Sequence, residues 1–324
     1  MEKIKIGIIG YGNLGKGAEK AVKLSKDMEL VGIFTRRNKS EIDSDSNIYN
    51  ISELEEFKGD IDVCILCGGS ATDLWKQGPE IAKNFNTVDS FDTHAKIPEY
   101  FSQIDGSAKS GNNLSLISTG WDPGLFSIHR LFSQSIMPVG ETYTFWGKGV
   151  SQGHGDAIRQ IEGVKDAVQY TIPVEKVISE IQSGNILDLT TRDKHIRECY
   201  VVVEEEADKN KIENEIKSMP NYFSDYDTYV NFVSEDELKL NHSGMPHGGR
   251  VLRIGKTSEN IKQIYEFKLD LGSNPEFTSA INVAYARAVY RLNKEGTKGA
   301  ISVFDVPVSY LSIISPEEQR RLLL

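Results

Sequence analysis

Gly10-Tyr11-Gly12-Asn13-Leu14-Gly15 is the stretch whose residue types and spacing most directly imply chemistry. The pattern G-x-G-x-x-G reads as a dinucleotide fingerprint only where a strand precedes it and a helix follows. Lys3 to Ile9 is the short apolar run of a buried parallel strand, and Lys16 to Ser25 has helical spacing, with Leu14, Ala18, Ala21 and Val22 on one side. Gly10 is then expected at the tight turn, Gly12 where the backbone approaches a pyrophosphate, and Gly15 where helix and strand pack closely. The helix N-terminus offers N–H groups and a positive dipole end to the phosphates. The second strand, Met28 to Phe34, ends in Thr35-Arg36-Arg37. An NAD site places an acid at this end for the ribose 2′-hydroxyl. Two guanidinium groups suit a 2′-phosphate instead, so the expected cofactor is NADP(H).

The elements that position these residues alternate. Ile61 to Leu66, Asn86 to Phe91 and Asn113 to Ile117 read as further strands, and Ile97 to Ser110 as a helix. The pattern predicts a doubly wound, Rossmann-type parallel sheet whose ligands lie at the carboxyl ends of the strands. Three segments begin at those ends and are expected against the cofactor. They are Cys67-Gly68-Gly69-Ser70-Ala71-Thr72, Ser90-Phe91-Asp92, and Thr119-Gly120-Trp121-Asp122-Pro123-Gly124. Asp92 and Asp122 stand just past two strand ends. An acid there suits holding and deprotonating an ammonium group, and it equally suits capping a helix. Residue type leaves both open.

The second half changes character. Leu125 to Ile136 looks helical and Thr142 to Gly147 is an alternating strand. The glycine-dense run from Gly147 to Gly155 reads as a flexible or close-approach loop, a lid or substrate wall. Ala167 to Pro173, Glu198 to Val203, Thr228 to Val233 and Ile264 to Leu271 read as strands of one second sheet, with helices at Val174–Gln182 and Lys209–Met219. This predicts an α+β substrate and dimerisation domain. An alanine-rich helix from Phe277 to Leu292 opens a C-terminal segment expected to pack back on the first domain. The expected bounds are 1–120, 121–272 and 273–324.

Composition narrows the partners. A net charge of −10 over 324 residues argues against nucleic acid or an anionic membrane. No apolar run approaches the roughly 18 residues of a membrane span, and the N-terminal apolar run is a strand, not a signal peptide. Cys64 and Cys67 form C-x-x-C inside a strand, where residues three apart point to opposite faces and cannot share a metal. Three cysteines in all suit a reducing cytoplasm. His242 and His247 lack companions at ligand spacing, so no metal is expected.

Several separated motifs together resemble the meso-diaminopimelate dehydrogenase family. They are Gly10 to Gly15, Ile33-Phe34-Thr35-Arg36-Arg37, Gly69 to Asp73, Ser118 to Gly124, Thr144-Phe145-Trp146-Gly147, Ser151-Gln152-Gly153-His154, and Gly244-Met245-Pro246-His247-Gly248-Gly249. The last four are the more specific. Thr35 stands where the family has serine, which keeps a hydroxyl for the 2′-phosphate, and Gly68 stands where it has methionine. The resemblance runs from the first strand to about Pro316. It implies a homodimer that oxidises the D-configured centre of meso-diaminopimelate with NADP+, giving L-2-amino-6-oxopimelate and ammonium. By position it implies substrate contacts at Asp92, Trp121, Asp122, Trp146, Gln152, Gly153, Thr171, Arg197, His247 and Asn274.

Residue chemistry is compatible with those assignments. A substrate with two ammonium and two carboxylate groups needs acids and donors in pairs. Asp92 and Asp122 supply the acids, Arg197 a bidentate carboxylate clamp, and Thr171, Asn274 and His247, the last in a glycine-rich loop, neutral donors. Taken alone, Arg197 reads as a strand-edge charge. Trp121 and Trp146 suit walls for an aliphatic chain or ordinary core packing.

Overall fold

The computed structural model describes residues 3–324. The chain divides into two compact units: the residues through Ile128 together with Pro275–Leu324, and His129–Asn274. Their edges differ from the expected bounds at 120 and 272.

In the first unit β1 (Ile4–Ile9) runs through the glycine turn into α1 (Asn13–Leu24). Then follow β2 (Met28–Thr35), β3 (Ile48–Asn50), β4 (Val63–Leu66), α2 (Trp75–Ala82), β5 (Asn86–Asp89), α3 (Ile97–Ser110) and β6 (Leu114–Leu116). The strands pair in parallel in the order β6-β5-β4-β1-β2-β3. Strand order reverses between β4 and β1, the place where such sheets open a crevice for ligands. All four residues of β4 are buried, as a strand covered on both faces requires. α2 and α3 supply one cover, with Ile81, Phe85, Tyr100 and Ile104 packed against Phe34, Leu66 and Phe91.

The helix α4 (Leu125–Ile136) carries the chain across the edge of the first unit, which is why no break appears at residue 120. Then come β7 (Val139–Trp146), β8 (Gly149–Val150), α5 (Gln152–Arg159), β9 (Val164–Pro173), α6 (Glu175–Gln182), α7 (Thr191–Lys194), β10 (His195–Val203), α8 (Lys209–Ser218), β11 (Asp227–Phe232), α9 (Glu235–Asn241), β12 (His247–Ser258) and β13 (Ile261–Leu271). They form two sheets, β11-β10-β9-β8 and β13-β12-β7. This corrects the expectation of one second sheet: β13 pairs only with β12, which the sequence reading passed over as a glycine-rich loop. The run 147–155, expected as a flexible or close-approach loop, forms β8 and the start of α5. Its glycines are sites of close approach: Gly155 packs against β9, where a Cβ would sit 3.3 Å from the Ala167 carbonyl oxygen.

The chain then returns. α10 (Asn274–Lys294) leads to β14 (Gly299–Ile301), which adds in parallel to β6 and completes a seven-stranded sheet, and α11 (Pro316–Leu323) follows. Arg287 on α10 grips Asp27 in a two-pronged ion pair at 2.5 and 2.8 Å, and Ser279 Oγ donates to the Leu14 carbonyl at 2.7 Å. The C-terminal segment therefore packs back on the first unit, as expected.

One buried carboxylate fixes two strand-end loops of the first unit. Asp89, fully buried at the end of β5, accepts from the Phe91 and Ser118 backbone N–H groups at 3.0 Å and from the Tyr100 hydroxyl at 2.8 Å. Burial pushes its pKa up to about 6 from the ordinary 3.8, against these hydrogen bonds. Asp89→Ala leaves those donors without their acceptor and should cost roughly 3 kcal/mol or more. Asp89→Asn keeps an acceptor without the charge. A folded-state pKa above the unfolded value means that wild type loses stability as pH rises from 3.8 toward 6. Asp89→Asn should therefore gain on wild type over that window. Thermal melts from pH 3.5 to 7 check both, and an alanine variant as stable as wild type would refute the role.

Candidate active site

The nucleotide motifs converge on one cavity of about 270 Å³, lined by Gly10, Tyr11, Gly12, Thr35, Arg36, Arg37, Cys67, Gly68 and Gly69 among others. Gly10 turns the chain at φ +90°, a conformation that favours glycine. A Cβ at Gly15 would overlap the Gly10 carbonyl oxygen, whereas one at Gly12 meets nothing within 4 Å. Space is thus left where a pyrophosphate would approach. Helix α1, which begins with Asn13 and Leu14, has no side-chain cap at Gly12 and no acid in its first turn, which leaves its positive end toward the cavity. Thr35 is buried and accepts from the Arg37 backbone N–H at 3.2 Å. The Arg37 guanidinium donates to the Tyr11 carbonyl. Arg36 pairs with Asp73 at 2.7 Å in an exposed ion pair. Gly68 serves that pair, since a Cβ there would stand 2.7 Å from the Asp73 Cβ.

Ser70, Ala71, Thr72 and Phe91 line a neighbouring cavity of about 250 Å³. The Phe91 ring is fully buried and stacks on Tyr100 with centroids 4.1 Å apart. Ser90 is half-buried. Asp92 is exposed, its backbone N–H on Ser70 Oγ at 3.0 Å. Thr119 is buried, bonded through its hydroxyl to Asn282 and through its N–H to the Asp89 carbonyl at 2.8 Å. Gly120 and Trp121 accept from Leu125 and Phe126, which folds the turn around Asp122, Pro123 and Gly124. Trp121 is 7% exposed, its ring edge-on to Phe126.

In the second unit the site grows from a row across the four-stranded sheet. Gly149 on β8 pairs with Thr171 on β9, and Thr171 with Arg197 on β10. Strand β10 lies between β9 and β11, so Arg197 is no strand-edge charge; it is 6% exposed. Its Nη1 donates to Thr171 Oγ1, its flat face lies 3.9 Å from the Tyr226 ring centroid, and its buried Nε has no partner. No carboxylate of the described residues pairs with it. Burial lowers the pKa of three histidines, and the Arg197 charge pushes each the same way. His195 falls to about 3, with Lys194 adding to the effect, and His154 to about 4. His247 is lowered against an opposing bond to the Gly248 carbonyl oxygen.

His247, expected in a loop, is the first residue of β12. Its Nδ1 lies 2.8 Å from the Gly248 N and 3.1 Å from the Gly248 carbonyl oxygen, so this edge of the ring is held against its own strand backbone and Nε2 points the other way. Trp146 ends β7. Its N–H donates to His195 Nε2 at 2.8 Å and its ring stacks on that imidazole, 5.3 Å between centroids. Gln152 and Gly153 open α5, with Gln152 Nε2 at 3.4 Å from Met245 Sδ. Asn274 opens α10, its N–H on the Met245 carbonyl at 2.9 Å.

Sequence reasoning missed Asp89, His195, Tyr226 and Gln169. Gln169 is fully buried on β9, and neither of its amide atoms has a partner. Only strand periodicity could have flagged it, as a polar residue in phase with Ala167 and Thr171. His242, weighed with His247 as a metal ligand, stacks on Tyr200 at 3.8 Å and meets the Tyr170 hydroxyl at 3.0 Å.

Known proteins are similar to this chain in sequence and fold. The family description "Diaminopimelic acid dehydrogenase C-terminal domain" matches residues 120–273. A "Meso-diaminopimelate D-dehydrogenase" of Ureibacillus thermosphaericus is 58% identical over 326 aligned residues, covering 100% of each chain. The solved structure of the C. glutamicum DAP dehydrogenase in complex with DAP is 40% identical, with a TM-score of 0.94 and 100% of both chains covered. An engineered D-amino acid dehydrogenase bound to NADP+ is 38% identical, with a TM-score of 0.88 over 99% of this chain and 100% of that one. With a relative this similar along its whole length, the chain belongs to the meso-diaminopimelate D-dehydrogenase family.

Proposed function

We propose that this chain oxidatively deaminates the D-configured centre of meso-2,6-diaminopimelate, reversibly, to L-2-amino-6-oxopimelate and ammonium, a step of lysine biosynthesis, with NADP+ as the oxidant. The observation that carries this reading is Arg197: a buried guanidinium with no carboxylate partner among the described residues. A buried charge needs a counter-charge. The distal carboxylate of diaminopimelate is one, and it is what distinguishes this substrate from lysine. With Nη1 committed to Thr171, the Nε side of the guanidinium remains for it. His247, Thr171 and Asn274 add donors of no charge, and Gln152, Gly153, Trp121 and Trp146 complete the contacts.

The cavity at Gly10–Gly15 fits a dinucleotide, with open space over Gly12 and two guanidinium groups at the end of β2. The exposed Arg36–Asp73 pair is weak enough to yield to a 2′-phosphate. The bound nicotinamide supplies the hydride acceptor. Asp92 and Asp122 hold the reacting ammonium group, and one of them takes its proton, since the C–H hydride leaves only from the neutral amine. Arg197 positions the same molecule from its other end. The assembly is a cytoplasmic homodimer. Phe132, Ile136, Val139, Ile261 and Ile264 remain exposed on the second unit, an apolar surface of the kind that partners cover.

Mixing the protein, NADP+ and meso-diaminopimelate should produce NADPH fluorescence. Replacing Arg36 and Arg37 together by alanine should weaken NADP+ binding on the order of a hundredfold or more, at roughly 1.5–3 kcal/mol per charge-assisted bond, with little change for NAD+. Equal wild-type affinity for the two cofactors would sink the 2′-phosphate reading. Asp92→Ala and Asp122→Ala should each lower kcat/KM for the amino acid and leave NADP+ binding nearly intact; calorimetry finding NADP+ binding lost in Asp122→Ala would reassign that residue. Arg197→Met should lose on the order of a hundredfold in kcat/KM for meso-diaminopimelate, since unpairing a buried charge costs roughly 2–5 kcal/mol. Wild type should barely oxidise D-lysine, and Arg197→Met should narrow the gap between the substrates. Steady-state rates of both proteins on both amino acids decide it, and an Arg197→Met enzyme with wild-type kinetics would displace the distal pocket.

A further inference from the structure

The His247 ring lies flat against the α-carbon of Gly149. A Cβ built on Gly149 would stand 2.5 Å from His247 Nδ1 and 2.6 Å from Cδ2, and closer still to Cγ. These are distances that real Cβ atoms do not reach. Gly149 itself has no left-handed backbone, so the ring, not the turn, requires glycine there. Nor is the ring free to slide. Nδ1 is held by the Gly248 N–H at 2.8 Å. The backbones on either side are stitched together by Val150 N–H on the Pro246 carbonyl at 2.9 Å and Gly147 N–H on the Gly248 carbonyl at 2.8 Å.

Gly149 also heads the row that continues through Thr171 to Arg197. Residues directly opposite on neighbouring strands stand about 4.5–5.5 Å apart at Cβ. A side chain missing from the first place of the row therefore opens the space in which a ring from another sheet can sit beside the hydroxyl and the guanidinium. We infer that Gly149 is a positioning residue for the distal end of the substrate: its missing side chain seats the His247 imidazole so that its Nε2 edge faces the same carboxylate as Thr171 and Arg197. The inference rests on the proposed role of His247 and adds to it the residue that fixes the ring.

The test is a cycle of Gly149→Ala, His247→Ala and the double variant, read as KM and kcat for meso-diaminopimelate and as NADP+ affinity. Displacing a positioning group by about 1 Å costs on the order of a hundredfold. Gly149→Ala should accordingly lower kcat/KM by about tenfold to a hundredfold, mainly through KM, with NADP+ affinity unchanged. In the His247→Ala background, where the methyl has the ring's space to occupy, the same change should matter less than about twofold by the coupling of residues in contact. Equal losses in both backgrounds, or no loss in the wild-type background, overturn the inference. If Gly149→Ala does not fold, the double variant should restore folded, NADP+-binding protein, and its failure to do so also overturns the inference. His247→Ala with wild-type kinetics would remove the role of His247 itself and the inference with it. His247→Ala impaired while Gly149→Ala is not would overturn the inference alone.

Discussion

The second unit depends on keeping one charge out of water. Arg197 sits on an interior strand, almost wholly buried, and the described residues give it a hydroxyl, an aromatic ring and no carboxylate. A guanidinium in such surroundings lowers the stability of the fold unless a counter-charge arrives. That makes it a poor structural residue and suits it to pairing with an anion. Its place in the sheet matters as much as its charge. Backbone pairing on both sides holds the strand, and Thr171 Oγ1 and Tyr226 fix the planar group in one orientation. Lysine could supply the charge but neither the fork nor the stacking face.

The first unit uses a buried acid to the opposite end. Asp89 spends its oxygens on the backbone of two loops and on Tyr100. By doing so it fixes the segments on which Asp92 and Asp122 stand. Three aspartates thus follow strand ends within one sheet, one turned inward to hold loops and two on the loops it holds. In the sequence Asp89 and Asp92 differ only by their distance from the end of an apolar run, which is too coarse a signal to separate these tasks.

What was legible had a local signature. The glycine turn, the arginines after β2 and the strand–helix alternation are each fixed by residues near in sequence, and the apolar runs of a doubly covered sheet stand out from their polar flanks. What was not legible depended on distant pairing. Nothing near Ile264 says that its strand joins β12 rather than β10, because register is set across the sheet. Nothing near Arg197 says that β9 and β11 will bury it. The glycines of 147–155 left two readings open for a related reason. Glycine marks flexibility and close approach alike, and here Gly149 and Gly155 are glycine because a ring and a strand lie against them. Of the site's donors, Gln152 and His247 lie in short motifs, whereas Thr171, Arg197 and Asn274 were legible only through the family resemblance. Tyr226 and Gln169 were hidden in strands and turns whose partners only the fold supplies.

The neutrality of the histidines follows from the same charge. Around a buried guanidinium a second cation is repelled, and burial already disfavours the imidazolium. His195 and His154 are held down to about 3 and about 4. Each can therefore act near neutral pH only as a neutral donor or acceptor, as His195 does toward the Trp146 N–H. An arriving carboxylate would offset the Arg197 charge and raise these values, but burial, their larger cause, would remain. A carboxylate bound beside Arg197 would therefore meet His195 and His154 as neutral rings at neutral pH.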